Sequence, residues 1–130
     1  MSTTRRVLDF AALRMKDVAD VGGKNASLGE MMSQLGGAGV RVPGGFATTA
    51  QAYREFLAQG GLDQRLARRL RGLDVADVSA LARAGAEIRG WILAQELPGP
   101  LRQDIADAYR RLADGAGADA TFAVRSSATA

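Results

Sequence analysis

Two residue types are missing from this chain of 130 residues, which contains no cysteine and no histidine. Without cysteine, the chain forms no disulfide and offers no thiolate as a nucleophile or metal ligand. Without histidine, it lacks the side chain that most often acts as a general base and the imidazole that could carry a phosphoryl group. Its chemistry must therefore rest on lysine, arginine, carboxylates, hydroxyls and the backbone.

Long apolar stretches are also missing, and aromatic residues make up only 5% of the chain. No run approaches the roughly 20 apolar residues that a membrane-spanning helix needs. The segment 1–6 is followed by only one apolar pair, Val7 and Leu8, before Asp9 interrupts it, which is not the pattern of a secretory signal peptide. We therefore expect a cytoplasmic protein that makes no membrane contact.

The composition that remains, 47% hydrophobic and 24% charged, is typical of a globular domain with its own core. The formal net charge is +3, and much of the excess lies at 65–71, where arginines alternate with leucines at helical spacing. Such a segment is more often a solvated helix face than a nucleic-acid contact, and no zinc or RNA-binding pattern accompanies it. A nucleic-acid binder is the minor alternative, which salt-dependent binding would support.

Helical periodicity predicts five helices, separated by turns that are rich in glycine and proline. They are expected over 25–35, from Thr48 or Thr49 to Gly60, over 62–70, from Asp74 onward and from Pro98–Pro100 onward. Three short runs, 7–10, 46–48 and 121–125, favour strands. The predicted fold class is therefore α/β or α+β, rich in helices. Because a strand needs a neighbour and the last run lies at the end of the sequence, we expect a chain truncated within a sheet.

The apolar positions within these helices predict which side chains are buried. Those expected in the core are Leu28, Met31, Met32 and Leu35 of the first helix and Tyr53, Phe56 and Leu57 of the second. Asn25 or Ser27 is expected to cap the first helix. Gly29 lies inside that helix at a cost of about 1 kcal/mol relative to alanine, which indicates a close neighbour on its face.

Two glycines and a lysine, Gly22, Gly23 and Lys24, stand directly before the first predicted helix. Backbone N–H groups at a helix start, together with an ammonium group, form a binding site for an anion such as phosphate. The tripeptide matches neither the Walker A loop nor the dinucleotide fingerprint, and on physical grounds alone it is more often a capping turn. However, a lysine is unfavourable beside the positive end of a helix dipole, and a phosphate between the two would explain it.

A second candidate, Arg125 with Ser126 and Ser127, follows the last predicted strand. An arginine at a strand end can form bidentate bonds to phosphate oxygens, and neighbouring hydroxyls can add donors. The alternative is a surface ion pair followed by a turn. A sheet with crossover helices could bring this segment to the glycine turn. The aspartates are scattered along the chain, so we expect neither a metal cluster nor a catalytic carboxylate pair.

Four segments in order, 21–32, 42–49, 84–92 and 122–130, resemble the phosphoenolpyruvate synthase family, also called pyruvate, water dikinase. Asn25 favours this family over its relatives, pyruvate phosphate dikinase and rifampicin phosphotransferase. The resemblance implies an incomplete ATP-grasp-like domain that binds ATP with Mg²⁺. It implies further that Lys24 and Arg125 contact the ATP phosphates, and we expect Gly22, Gly23 and Ser126 in the same site.

The family converts pyruvate, ATP and water to phosphoenolpyruvate, AMP and phosphate through a phosphohistidine on a separate domain. Because this chain has no histidine and lacks the family's glycine-rich loop and Mg²⁺ ligands, we expect residues 1–130 to be the N-terminal segment of the ATP-binding domain. Alone, it should be inactive, without catalytic residues, and bind ATP weakly or not at all.

The partners implied by the resemblance are ATP and the remainder of the enzyme, with its phosphohistidine and pyruvate-binding domains. The family is often homo-oligomeric, and neither nucleic acid nor membrane is expected as a partner. Two alternatives remain from the sequence. One is a fragment of a related dikinase or rifampicin phosphotransferase, and the other is a non-catalytic helical interaction module derived from such an enzyme.

Overall fold

The computed structural model describes residues 5–129, which form six helices and one two-stranded sheet. The strands are β1 (Val7–Asp9) and β2 (Phe46–Thr48). The helices are α1 (Val18–Val21), α2 (Gly23–Leu35), α3 (Ala50–Ala58), α4 (Leu62–Leu70), α5 (Val78–Ala94) and α6 (Gly99–Ala116). Because α1 is a single turn, five longer helices and two short strands confirm the predicted helix-rich class. No helix within 5–129 combines the length and apolarity that crossing a bilayer requires.

The described residues divide into two compact units, one made of 5–53 with 99–129 and the other of Arg54–Pro98. In the first unit, β1 and β2 pair antiparallel, with Leu8 opposite Ala47. The core of this unit consists of Leu13, Val21, Ala26 and Ala47, against which Leu8, Phe10 and Val18 pack. The unit therefore joins the sheet to α1 and the first half of α2.

The second unit is held together by polar contacts as well as by its buried residues. The side-chain amide of Gln95 donates to the Phe56 carbonyl over 2.6 Å, which ties the end of α5 to α3. The Arg65 guanidinium lies 3.8 Å from the centre of the half-buried Trp91 ring. Arg69 pairs with Glu87 over 2.7 Å. Two of the clustered arginines thus have partners within the unit, which agrees with a solvated helix face.

Small residues, not the predicted apolar stripe, form the buried face of α2. Ala26 and Gly29 are buried, whereas Met31 is 41% and Leu35 38% exposed, so the core prediction for these two side chains was wrong. A Cβ at Gly29 would lie 2.5 Å from the Leu13 Cβ, which confirms the close neighbour expected there. The short 3₁₀ turns that precede α1 pack on this face and leave room only for small side chains.

Three further local predictions required correction. Tyr53 is 54% exposed on α3, whereas Phe56 is buried as predicted. The N-cap of α5 is Asp77, whose carboxylate accepts the Ala80 N–H over 3.0 Å; Asp74 closes the preceding turn instead. The run 121–125 is irregular and forms no strand, because no neighbouring strand pairs with it in the described part of the chain. The predicted cap at Thr49 is confirmed by its bond from the Ala52 N–H.

Candidate functional site

The glycine turn, residues 22–24, forms the corner between α1 and α2. Gly22 has φ +82° and ψ 163°, a backbone region that essentially only glycine occupies. Its N–H donates to the Val18 carbonyl, and its own carbonyl accepts the first helical bond of α2, from Ala26. The Asn25 side-chain amide donates to the Val21 carbonyl over 2.8 Å and so spans the corner. Gly22 therefore occupies the N-cap, and the predicted cap at Asn25 or Ser27 was wrong.

The docked segment, residues 126–128, lies directly against this turn. The Lys24 ammonium donates to the Ser126 carbonyl over 3.2 Å, across a sequence separation of 102. The Gly23 N–H donates to the Ala128 carbonyl over 3.2 Å. A Cβ on Gly22 would lie 2.7 Å from the Ala128 carbonyl oxygen, so only glycine allows this approach. The structure thus brings together the two segments that the sequence suggested, except for Ala130, which lies outside the described residues.

In the described part of the chain, no carboxylate neutralises the positive charge at this junction. Lys24 is exposed in the first turn of α2, and its ammonium bonds to a backbone carbonyl. Arg125, the residue next to that carbonyl, is also exposed. Within 5–129, neither side chain forms an ion pair. The junction therefore carries two cations that are available to an anionic ligand.

The backbone donors of the turn are only partly available. The N–H groups of Gly22 and Gly23 are bonded to the Val18 and Ala128 carbonyls. In this conformation the two glycines therefore do not donate to a ligand, and their role is to let the docked segment approach closely. The N–H groups of Lys24 and Asn25, in the first turn of α2, have no partner within the helix. An anion placed before α2 would therefore meet these two N–H groups and the Lys24 ammonium, together with the partial positive charge of the helix start.

Ser127 is a residue that the sequence analysis did not single out beyond its place in the motif. Its hydroxyl is buried and has no hydrogen-bond partner among the described residues. A Cβ on Gly22 would overlap it, since the two would be 2.2 Å apart. Ser126, its neighbour, is exposed and contributes its carbonyl to Lys24. The sequence shows the Ser-Ser pair, but only the fold distinguishes the two hydroxyls.

Glu30 fixes the middle of α2 to the preceding turn. Its carboxylate accepts the Met15 N–H over 3.1 Å and the Gln34 side-chain amide over 3.1 Å. The bond from Met15 is the main cause of a pKa below the ordinary 4.5 of a glutamate, with further lowering by Gln34 and by the charge of Arg14. Glu30 therefore stays ionised at neutral pH and anchors the helix that carries Lys24.

Other features of the described residues do not converge on the turn. An open cleft lies at the opposite end of α2 and contains none of the predicted site residues; its lining is Met32, Gly36, Val40, Arg41, Val42 and Pro43. Within 5–129, no three acidic side chains are grouped as a metal site would require. The chain's own cations and N–H groups at the glycine turn are therefore the best candidates for ligand binding.

Comparison with known proteins gives one family and several close relatives. Residues 18–130 match the AMP/ATP-binding domain of pyruvate phosphate dikinase. The chain is 60% identical over 125 residues to a phosphoenolpyruvate synthase of Neisseria meningitidis. The identity is 56% over 124 residues to that of Pseudomonas aeruginosa and 52% over 124 residues to that of Escherichia coli. Each alignment covers 95% of this chain but only 16% of the relative's length.

Proposed function

The chain belongs to the family of pyruvate phosphate dikinase AMP/ATP-binding domains, and on that premise we propose that it is the N-terminal ATP-binding portion of a phosphoenolpyruvate synthase. Such an enzyme converts pyruvate, ATP and water to phosphoenolpyruvate, AMP and phosphate. The phosphohistidine of that reaction must lie outside this chain, which has no histidine. The proposed partners are therefore ATP and the phosphohistidine and pyruvate-binding domains of a longer cytoplasmic enzyme.

The observation that carries the proposal is the bond between the Lys24 ammonium and the Ser126 carbonyl. It joins two segments that are far apart in sequence, each of which was a candidate phosphate ligand on chemical grounds. Because the two segments are in contact, Lys24 and Arg125 can bind the same ligand. The uncompensated charge of the pair favours a polyanion such as the triphosphate of ATP.

The proposed roles follow from the chemistry of each group. Lys24 and Arg125 neutralise negative charge on the phosphates, which in phosphoryl transfer is the main contribution a protein makes. Gly22 and Gly23 let the docked segment approach the helix start, and Ser126 orients the lysine through its carbonyl. The buried Ser127 hydroxyl, which has no partner among residues 5–129, also fits a site that gains a ligand. No group of three or more acidic side chains that could hold Mg²⁺ lies within residues 5–129.

Binding can be tested by NMR titration of the 130-residue chain with MgATP at up to about 20 mM, a range that detects weak sites. Saturable shifts at 22–25 and 125–128 are expected, and both Lys24→Ala and Arg125→Ala should abolish them. Lys16→Ala removes an exposed lysine elsewhere and is the matched control. Saturable shifts that persist in both site variants would contradict the assignment.

Activity can be tested by exchanging the matching segment of the Neisseria enzyme, to which the chain is 60% identical, for this chain. The chimera should form phosphoenolpyruvate, and the 130-residue chain alone should not. Lys24→Ala in the chimera is expected to lower kcat by about 10²–10³, the usual effect of losing one stabilising charge. An active chimera that is insensitive to Lys24→Ala would rule out the proposed role of this lysine.

A further inference from the structure

The buried hydroxyl of Ser127 is energetically unfavourable in the structure as it stands. Its Oγ is shielded from solvent and has no hydrogen-bond partner within 5–129. Buried polar groups in native proteins are nearly always bonded, because an unpaired one forfeits its hydrogen bonds to water. An alanine would fill the same backbone position without this penalty. The hydroxyl therefore needs an explanation beyond packing.

The neighbouring backbone groups form their hydrogen bonds with each other, and none of those described bonds to the Ser127 hydroxyl. The N–H groups of Gly22 and Gly23 already donate to the carbonyls of Val18 and Ala128. The residues on either side of Ser127 are themselves engaged with the turn, through the Ser126 and Ala128 carbonyls. Ser127 is thus held with its hydroxyl against Gly22. Along the chain, Gly22 lies two residues before Lys24, and Ser127 lies two residues after Arg125.

We propose that the Ser127 hydroxyl donates a hydrogen bond to a phosphate oxygen of the nucleotide bound at the glycine turn. This inference rests on the proposed function and adds a binding residue to it. Phosphate oxygens are strong acceptors that can satisfy a hydroxyl donor. Among the described residues, two hydrogen bonds hold the docked segment to the turn, and each is 3.2 Å, long for its type. A small displacement of the segment on binding therefore exposes the hydroxyl to the ligand.

The proposal makes opposite predictions for the free and the bound chain. In the free chain, Ser127→Ala removes an unpaired polar group and should raise Tm by about 4 °C. In the bound chain, the same substitution removes a donor to a charged oxygen. The dissociation constant for MgATP, measured by NMR titration, should then rise about tenfold. If Ser127 had a purely structural role, its substitution would not both raise Tm and weaken MgATP binding.

The control is Thr129→Ala, which removes an exposed hydroxyl two residues farther along. It should leave both Tm and the dissociation constant unchanged. A lower Tm in Ser127→Ala would overturn the proposal, because the hydroxyl would then have a partner in the free chain. A raised Tm with unchanged MgATP affinity would overturn the ligand role alone. If the isolated 130-residue chain shows no saturable binding, the comparison is made in the chimera with the Neisseria enzyme, where a KM for ATP that Ser127→Ala leaves unchanged would overturn the ligand role.

Discussion

Gly22 and Gly23 are adjacent in sequence, yet replacing each by alanine should have opposite effects on stability. At Gly22, the backbone conformation costs a residue with a side chain about 1–3 kcal/mol. The new Cβ would also lie 2.7 Å from the Ala128 carbonyl oxygen, which must move and release the Gly23 N–H. Losing that hydrogen bond costs about 1 kcal/mol more. The free energy of unfolding should therefore fall by about 2–4 kcal/mol in Gly22→Ala.

Gly23 provides the matched comparison because it lies in α2 and a Cβ there would meet no atom within 4 Å. Gly23→Ala should raise the free energy of unfolding by about 0.4–1 kcal/mol by restricting the unfolded chain. For 130 residues, 1 kcal/mol corresponds to about 4 °C in Tm. Thermal unfolding followed by circular dichroism should thus show Gly22→Ala lower by about 8–16 °C and Gly23→Ala higher by about 2–4 °C. Equal shifts in the two variants would refute the close approach of the docked segment.

Three further predictions concern the framework that holds the turn. Gly29→Ala should lower Tm although alanine has the better helix propensity. The new Cβ would lie 2.6 Å from the Leu13 carbonyl oxygen, and overpacking of this kind costs about 1–3 kcal/mol. An unchanged Tm would mean that α2 packs less closely against the preceding turns. Because the pKa of Glu30 is lowered in the folded chain, its stabilisation is present above about pH 4.5 and lost as the pH falls through the lowered value. The Tm difference between the wild type and Glu30→Gln should accordingly be larger at pH 7 than at pH 2.5, and a constant difference would exclude this linkage. Thr49→Ala should lower the free energy of unfolding, measured in urea, by about 1–2 kcal/mol because the cap bond is lost. Thr48→Ala, which changes an exposed residue on β2, should lower it less. Equal losses of stability would argue against the cap.

Local patterns in the sequence were sufficient for most of the secondary structure. Helical periodicity predicted α4 to the residue, and the threonine before α3 proved to be its cap. Periodicity failed where packing reversed the usual preference. On α2, Met31 and Leu35 are exposed, and the buried positions are Ala26 and Gly29, because the preceding turns approach the backbone too closely for larger side chains. Which of two faces is buried depends on what lies opposite, and a single helix does not contain that information.

The candidate site divides in the same way between sequence and tertiary structure. The residue types at 22–24 and 125–127 determined by themselves that two cations and two glycines were candidates for phosphate binding, since this chemistry depends on charge and donor groups. Only the tertiary structure decided that the two segments meet, that Gly22 is needed for its positive φ, and that the Ser127 hydroxyl is buried while Ser126 is exposed. These properties arise from contacts between residues about 100 positions apart. Such contacts depend on the path of the whole chain, which local periodicity does not specify.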